Sequence, residues 1–307
     1  MQNKKKKIAV GSWAFGLPLE ETFKIVDEIG FDGIAIGFFP PYGVRRDTYN
    51  TPEKEATVKN LAEHYGLEIA SCGIDMYSAH ALLDTGTWLE EFEKNISFVK
   101  RLDVTNVIRV DTGVAPVLPP GFEYDDIKRE YKNSFKKIAR CAAKYGITLV
   151  WEFEPGFIIN EPDNIIDVVK WVDEPNFKLC FDTCHAYNCM NGVNHIEKGK
   201  KLKGGLEEFI ERCEGLIGLV HLIDSDGSLQ KIGIDVFDEH GARIELETSR
   251  HLAFGEGYIN FDVILPALVD IAKYSAEWWV IDMEKNPVKY AKTAFEYVTD
   301  LNYKLFC

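Results

Sequence analysis

Short runs of apolar and β-branched residues alternate along the chain with longer stretches in which apolar residues recur at helical spacing. The apolar runs are residues 8–13, 33–38, 67–72, 107–110, 147–153, 177–181, 217–223 and 278–283. Apolar strands that alternate with helices are typical of a parallel sheet covered by helices on its outer face. Eight such units without a Ser/Pro-rich linker predict a single (β/α)8 TIM barrel domain over residues 1–307.

The stretches between the apolar runs indicate amphipathic helices. From Phe135 to Ala142 the apolar residues recur at i, i+3, i+4 and i+7, and Gly146 follows where a glycine ends many helices. Residues 261–272 and 288–298 show similar apolar faces. These helices complete the repeating unit of the barrel.

One segment departs from this rhythm. After the seventh apolar run, residues 225–250 contain two alternating runs, 231–237 and 242–246, which predict a β-hairpin inserted in a βα loop. Since the βα loops of a barrel surround its active site, the hairpin is a candidate lid. The alternative interpretation is a surface ornament or a subunit contact.

Composition and charge narrow the class of partner. The net charge is −14, and the basic run at residues 4–7 is short and has no amphipathic helix beside it. Such a surface argues against nucleic acid, which requires clustered Lys and Arg, and no apolar run is long enough to cross a membrane. The seven cysteines are odd in number and form no C-x-x-C pair, which favours reduced thiols and a cytoplasmic location.

Acidic and imidazole groups stand at the ends of the last four predicted strands. They are Glu152 and Glu154, Asp182 and His185, His221 and Asp224, and Asp282 and Glu284. Carboxylates in apolar strands are costly to bury unless they are paired, hydrogen-bonded or bound to a metal. If each of the four strand ends supplied one ligand, three carboxylates and one imidazole would form a hard, oxygen-rich site. The sequence therefore predicts one divalent ion, with Mn²⁺ as the first choice and Mg²⁺, Co²⁺ or Zn²⁺ as alternatives.

Other residues near the strand ends are candidates for substrate contact. Trp13 lies at the end of the first strand and is predicted to form part of an apolar wall. Glu154 is predicted either to contact substrate or to orient a metal ligand. Arg109, near the end of the fourth strand, is predicted to contact a substrate hydroxyl or carboxylate or to form a structural ion pair.

The order of short motifs resembles the xylose-isomerase-like barrels, a superfamily of sugar epimerases, hydroxypyruvate isomerase, inosose dehydratase and apurinic endonucleases. These motifs are Asp-Thr-Cys-His at 182–185, His221 followed by Asp224, and His251 before Gly-Glu-Gly at 255–257. The endonucleases have an Asp-x-His pair where this chain has Ser249 before Arg250 and His251. That departure, together with the acidic charge, argues against a DNA-repair function.

The resemblance implies specific roles for these residues. The metal ligands of the sugar epimerases correspond to Glu152, Asp182, His221 and Glu284, with Asp282 as the alternative to Glu284. His185 matches a histidine that contacts substrate, and His251 stands where the epimerases place a substrate-binding arginine.

The predicted activity is therefore a metal-dependent sugar isomerase or epimerase that works by proton transfer through a metal-bound enediolate. Glu152 and Glu284 would move the proton, and His185 would hold or polarise substrate oxygens. A first alternative is a lyase that uses the same enolate for elimination, either a dehydratase or the catalytic subunit of a deglycosidase for 3-oxo C-glycosides. The second is a non-catalytic barrel. The expected partners are a small carbohydrate or glycoside and a second copy of the chain or a small partner subunit.

Overall fold

Eight strands form the frame of the molecule. The computed structural model describes residues 5–38, 43–75, 85–111, 113, 116–118, 121–197, 200–237, 243–271, 277–283 and 287–306. The frame strands are β1 (Lys7–Gly11), β2 (Gly33–Gly37), β3 (Glu68–Asp75), β4 (Val107–Asp111), β5 (Thr148–Glu152), β6 (Phe177–Asp182), β7 (Ile217–Leu222) and β10 (Trp278–Ile281). They are parallel and close in the order β1-β10-β7-β6-β5-β4-β3-β2. The predicted TIM barrel is confirmed.

Helices separate the barrel strands along the chain. They are α1 (Leu19–Ile29), α2 (Pro52–Tyr65), α3 (Thr85–Leu102), α4 (Tyr124–Ala143), α5 (Pro162–Val172), α6 (Thr183–Met190), α7 (Gly205–Arg212), α8 (Phe261–Ile271) and α9 (Pro287–Phe306). A capping box of Glu123 and Asp126 starts α4, and Gly146 follows its end with φ of 69°. None of the helices in the described ranges has both the length and the apolar composition needed to cross a membrane.

The barrel interior is packed with small and medium apolar side chains. This inner layer consists of Ala9, Ala35, Ala70, Val150, Cys180, Leu219 and Val280. Side chains two residues apart on a strand share one face. Two residues beyond Val150, Cys180, Leu219 and Val280, the next inward-facing positions are polar. They are Glu152, Asp182, His221 and Asp282.

The segment after β7 forms a two-stranded antiparallel sheet. Its strands are β8 (Leu229–Phe237) and β9 (Arg243–Ser249), with Leu229 opposite Ser249 at the base. The predicted hairpin is confirmed and is longer at its base than the alternating pattern indicated. Its base lies against the loop after β5. The two backbones are so close there that a Cβ atom at Gly156 would collide with the carbonyl oxygen of Glu247. The base of the hairpin is thus fixed to the barrel.

Candidate metal centre

Four buried polar side chains converge above the apolar layer of the barrel. Glu152, Asp182, His221 and Asp282 each offer one ligand atom, and these atoms lie within 4.8 Å of one another. Three of the side chains stand at or near the carboxyl ends of β5, β6 and β7, and Asp282 directly follows β10. The carboxyl end of the strands is where barrel enzymes place their active sites.

Carboxylates from two strands meet at one nitrogen of His221. Its Nδ1 lies 2.8 Å from Glu152 Oε1 and hydrogen-bonds Asp282 Oδ2 at 3.2 Å. The other oxygen of Asp282 accepts a 2.7 Å hydrogen bond from the indole N–H of Trp13. The predicted wall residue Trp13 therefore holds one of the candidate ligands in place.

Asp182 has one oxygen in the fold and one facing the cluster. Its Oδ1 accepts a 2.8 Å hydrogen bond from the backbone N–H of His185 and so caps α6. Its Oδ2 is buried and has no hydrogen-bond partner within the described part of the chain. A buried carboxylate oxygen without a donor is costly, and a cation removes that cost. The residues present therefore fit a divalent ion.

A buried guanidinium borders the cluster. Arg109 on β4 pairs with Glu152 Oε2, and both side chains are buried. The guanidinium carbon also lies 5.1 Å from the centre of the Trp13 ring. Of the two interpretations of Arg109, the structure shows the ion pair.

Burial and charge shift the pKa values of these groups in opposite directions. Burial raises the pKa of Asp182 to about 7, against the opposing effect of His251. Burial also disfavours ionised Glu152 and Asp282, but Arg109 and His221 lower the Glu152 pKa, and His221 lowers the Asp282 pKa to about 2. Although burial opposes it, Cys180, Glu152 and Asp282 raise the His221 pKa. Ionised Glu152 and Asp282 thus lie beside Arg109 and His221, while Asp182 is protonated below about pH 7 and ionised above it.

Divalent-ion binding is expected to release protons from this cluster. Coordination requires ionised Asp182 and neutral His221, so we expect more protons to be released per ion below pH 7, where Asp182 is protonated, than above it. Calorimetry in buffers of different ionisation enthalpy measures this release. Because the pKa of folded Asp182 exceeds the ordinary 3.8, its buried carboxyl makes the metal-free protein less stable as the pH rises from that value to about 7. Metal affinity should therefore increase with pH, most steeply below about pH 7, and a pH-independent affinity would contradict this account.

His185, Glu154 and His251 lie beside the cluster. His185 Nε2 is 3.9 Å from Glu154 Oε1, and Glu154 Oε2 accepts a 2.6 Å hydrogen bond from Thr248. The rings of His185 and His251 are centred 5.3 Å apart. Burial, followed by the nearby His251, lowers the pKa of His185 to about 3, which keeps its ring neutral.

A cysteine that was not among the predicted site residues also lies at the cluster. Cys180 Sγ lies 3.5 Å from Glu152 Oε1, and burial raises the thiol pKa to about 12, so the thiol donates rather than carrying charge. Its position two residues before Asp182 on β6 was the available signal. Glu284, considered for the last ligand, lies outside the described residues, whereas its alternative Asp282 is within the cluster.

Asp224 organises a neighbouring loop. Its Oδ2 accepts from the backbone N–H groups of Gly255 and Gly257, both at 2.9 Å, and its Oδ1 accepts from Ser225 and Ile259. A Cβ atom at Gly257 would collide with this carboxylate. The Gly-Glu-Gly segment is therefore wrapped around a buried acid.

The amino-acid sequence is similar to a known family and to individual proteins. A family model described as xylose isomerase-like TIM barrel matches residues 23–301. An uncharacterized protein of Methanocaldococcus jannaschii is 25% identical over 208 residues, which cover 66% of this chain and 59% of that protein. The 3-dehydroshikimate dehydratase of Bacillus anthracis is 21% identical over 259 residues, which cover 82% of each chain.

Solved structures share the fold. A D-tagatose 3-epimerase-like protein superposes with a TM-score of 0.70 and 22% identity, covering 97% of this chain and 99% of its own. The IOLI protein, solved with a bound zinc atom, gives a TM-score of 0.66 and 15% identity over 98% of each chain. At these identities the likeness establishes the fold and leaves the reaction open.

Proposed function

Because the chain belongs to the xylose isomerase-like TIM barrel family, we propose that it is a divalent-metal-dependent isomerase or epimerase of a small carbohydrate or glycoside. The observation that carries the proposal is the convergence of Glu152, Asp182, His221 and Asp282 within 4.8 Å, with Asp182 Oδ2 left without a donor in the described ranges. Epimerase-like neighbours with the same fold support the substrate class.

The donor set supports Mn²⁺ as the preferred ion. Three carboxylates and one imidazole suit Mn²⁺ or Mg²⁺, and the imidazole also admits Co²⁺ or Zn²⁺. A structural neighbour solved with a bound zinc atom supports divalent-ion binding by a protein of this fold. We propose Glu152, Asp182, His221 and Asp282 as its ligands; the earlier choice of Glu284 for the last ligand stays a prediction.

The proposed mechanism needs groups that move a proton to and from a substrate carbon and groups that stabilise the substrate oxygens. A bound divalent ion supplies Lewis-acid stabilisation of negative charge that develops on substrate oxygens when a neighbouring C–H proton leaves. Arg109 keeps Glu152 ionised and able to accept that proton. Glu284 is the proposed partner that returns a proton to the opposite face. Neutral His185 donates a hydrogen bond to a substrate oxygen, with His251, Glu154 and Trp13 lining the site.

A second candidate function is elimination from the same carbanion. The similarity to a 3-dehydroshikimate dehydratase over 82% of the chain supports this alternative. The leaving group would be water, or an aglycone if the substrate is a 3-oxo C-glycoside. A deglycosidase would add a small partner subunit, whereas an epimerase needs at most a second copy of the chain. Both reactions begin with the same proton abstraction.

The location is proposed to be the cytoplasm. The six cysteines in the described part of the chain are free and buried. Reduced thiols of this kind are typical of a reducing compartment.

Solvent deuterium incorporation tests the proposal before the substrate is known. The protein is loaded with Mn²⁺ in D₂O and incubated with ketoses and 3-oxo glycosides, and mass spectrometry detects deuterium on carbon next to the carbonyl. Isomerisation gives a deuterated product of unchanged composition, and elimination gives a product that has lost water or an aglycone. The control is the same protein stripped of metal. If no member of the panel gained deuterium or lost water or an aglycone, the non-catalytic barrel would be favoured.

A further inference from the structure

We infer that Ser249, at the base of the hairpin, fixes the tautomer of His185 so that the proton is on Nε2, the ring nitrogen nearest Glu154. Ser249 would be a positioning residue that acts through His185. Its catalytic consequence rests on the proposed function, whereas the tautomer itself does not. The argument depends on a short chain of buried hydrogen bonds.

The chain begins at Asn188 on α6. Its Nδ2 lies 3.2 Å from the carbonyl oxygen of Cys184 and 2.9 Å from Ser249 Oγ. A carbonyl oxygen can only accept, so the group facing Cys184 is the amino end of the amide. Ser249 Oγ is the nearest of three oxygens around this amino group, the third being Ser225 Oγ at 3.3 Å, so Asn188 can donate to Ser249 but cannot accept from it.

The hydroxyl hydrogen of Ser249 then has one destination. Ser249 Oγ has two polar neighbours in the described structure, Asn188 Nδ2 and His185 Nδ1, the latter at 3.0 Å. The amino group of Asn188 cannot accept a hydrogen bond, and Ser249 is fully buried, so water does not reach the hydroxyl. The hydroxyl must donate to His185 Nδ1. The reverse arrangement would leave a buried O–H without an acceptor, which proteins avoid.

A neutral histidine that accepts at Nδ1 carries its hydrogen on Nε2. His185 Nε2 lies 3.9 Å from Glu154 Oε1, too far for a hydrogen bond, so its N–H stays available to a substrate oxygen. Thr248, adjacent to Ser249 on β9, holds the other oxygen of Glu154. The base of the hairpin thus holds both the His185 ring and the neighbouring Glu154 carboxylate through hydrogen bonds.

Nitrogen NMR of the ¹⁵N-histidine-labelled, zinc-loaded full chain reads the tautomer directly. A His185→Gln variant assigns the His185 signals among the seven histidines. We expect a protonated Nε2 and an unprotonated Nδ1 in the wild type. Ser249→Ala should show a mixture of tautomers, whereas Ser249→Thr, which keeps the hydroxyl, should retain the wild-type signals.

The matched control is Ser225→Ala, which removes another hydroxyl that lies near Asn188 Nδ2, at 3.3 Å, but is not among the described hydrogen-bond partners of His185. Its spectrum should match the wild type. A protonated Nδ1 in the wild type, or an unchanged tautomer in folded Ser249→Ala, would overturn the inference. If Ser249→Ala does not fold, the wild-type spectrum alone decides.

Activity separates this inference from the proposed function. On any substrate found by deuterium incorporation, Ser249→Ala should lower kcat about 10-fold, with KM little changed and with Ser249→Thr restoring the rate. A protein without deuterium incorporation but with the Nε2 tautomer would refute the proposed function and leave the tautomer assignment intact.

Discussion

Asp182→Asn is expected to lower the affinity for divalent metal by at least about 10²-fold while leaving the metal-free fold as stable as the wild type or more so. Asparagine is as good a helix N-cap as aspartate, so the hydrogen bond to the His185 N–H survives. The change removes a buried carboxyl whose pKa burial raises to about 7. Metal titration and urea unfolding of the stripped protein measure the two effects.

The same substitution at Asp224 is the matched control. Both oxygens of Asp224 accept backbone N–H groups, including those of Gly255 and Gly257. An amide at this position turns a donor towards donors, so Asp224→Asn should destabilise the protein by about 2–3 kcal/mol. Metal binding per folded chain should persist. Equal metal affinity in Asp182→Asn and wild type would remove Asp182 from the ligand set.

Arg109→Met is expected to destabilise the metal-free protein by about 3–5 kcal/mol, because it leaves Glu152 buried without the guanidinium. Saturating Mn²⁺ should recover much of this loss, since the ion then compensates the Glu152 charge. Urea unfolding with and without Mn²⁺ gives both values. The expected signature is a stability defect that depends on metal.

Arg129→Gln controls for the loss of an arginine. Arg129 pairs with Asp126 on the exposed face of α4, and such pairs contribute little, so its change should stay within about 0.5 kcal/mol with or without metal. A defect in Arg109→Met that Mn²⁺ did not reduce would mean that Arg109 only packs the barrel and does not balance charge at the metal centre.

The barrel and the polar layer at its mouth were predictable because the apolar runs mark the strands and side chains two residues apart in a strand share one face. Val150 and Cys180 face inward, and the residues two positions further on, Glu152 and Asp182, must share that face. Periodicity cannot choose between Asp282 and Glu284, since residues two positions apart in a strand are predicted to share one face. The choice depends on depth in the barrel, which the stagger of neighbouring strands sets.

The supporting contacts could not be predicted because they join distant segments. Thr248 and Ser249 end a hairpin whose alternating pattern specifies pairing between its own strands, yet their hydroxyls contact Glu154 and His185. From the sequence alone, a substrate contact and a structural ion pair were equally good interpretations of Arg109. The register of β4 against β5 places Arg109 opposite Val150, and the arginine side chain reaches Glu152 two residues further along β5.

The metal content of the purified chain tests the central claim most directly. The protein is stripped with chelator, dialysed against Mn²⁺ and then against metal-free buffer, and measured by elemental analysis beside His221→Ala. The four converging side chains predict about one ion per wild-type chain and almost none in the variant. A wild-type chain that returned from dialysis without metal would show that the cluster is structural, and the proposed chemistry would fall with it.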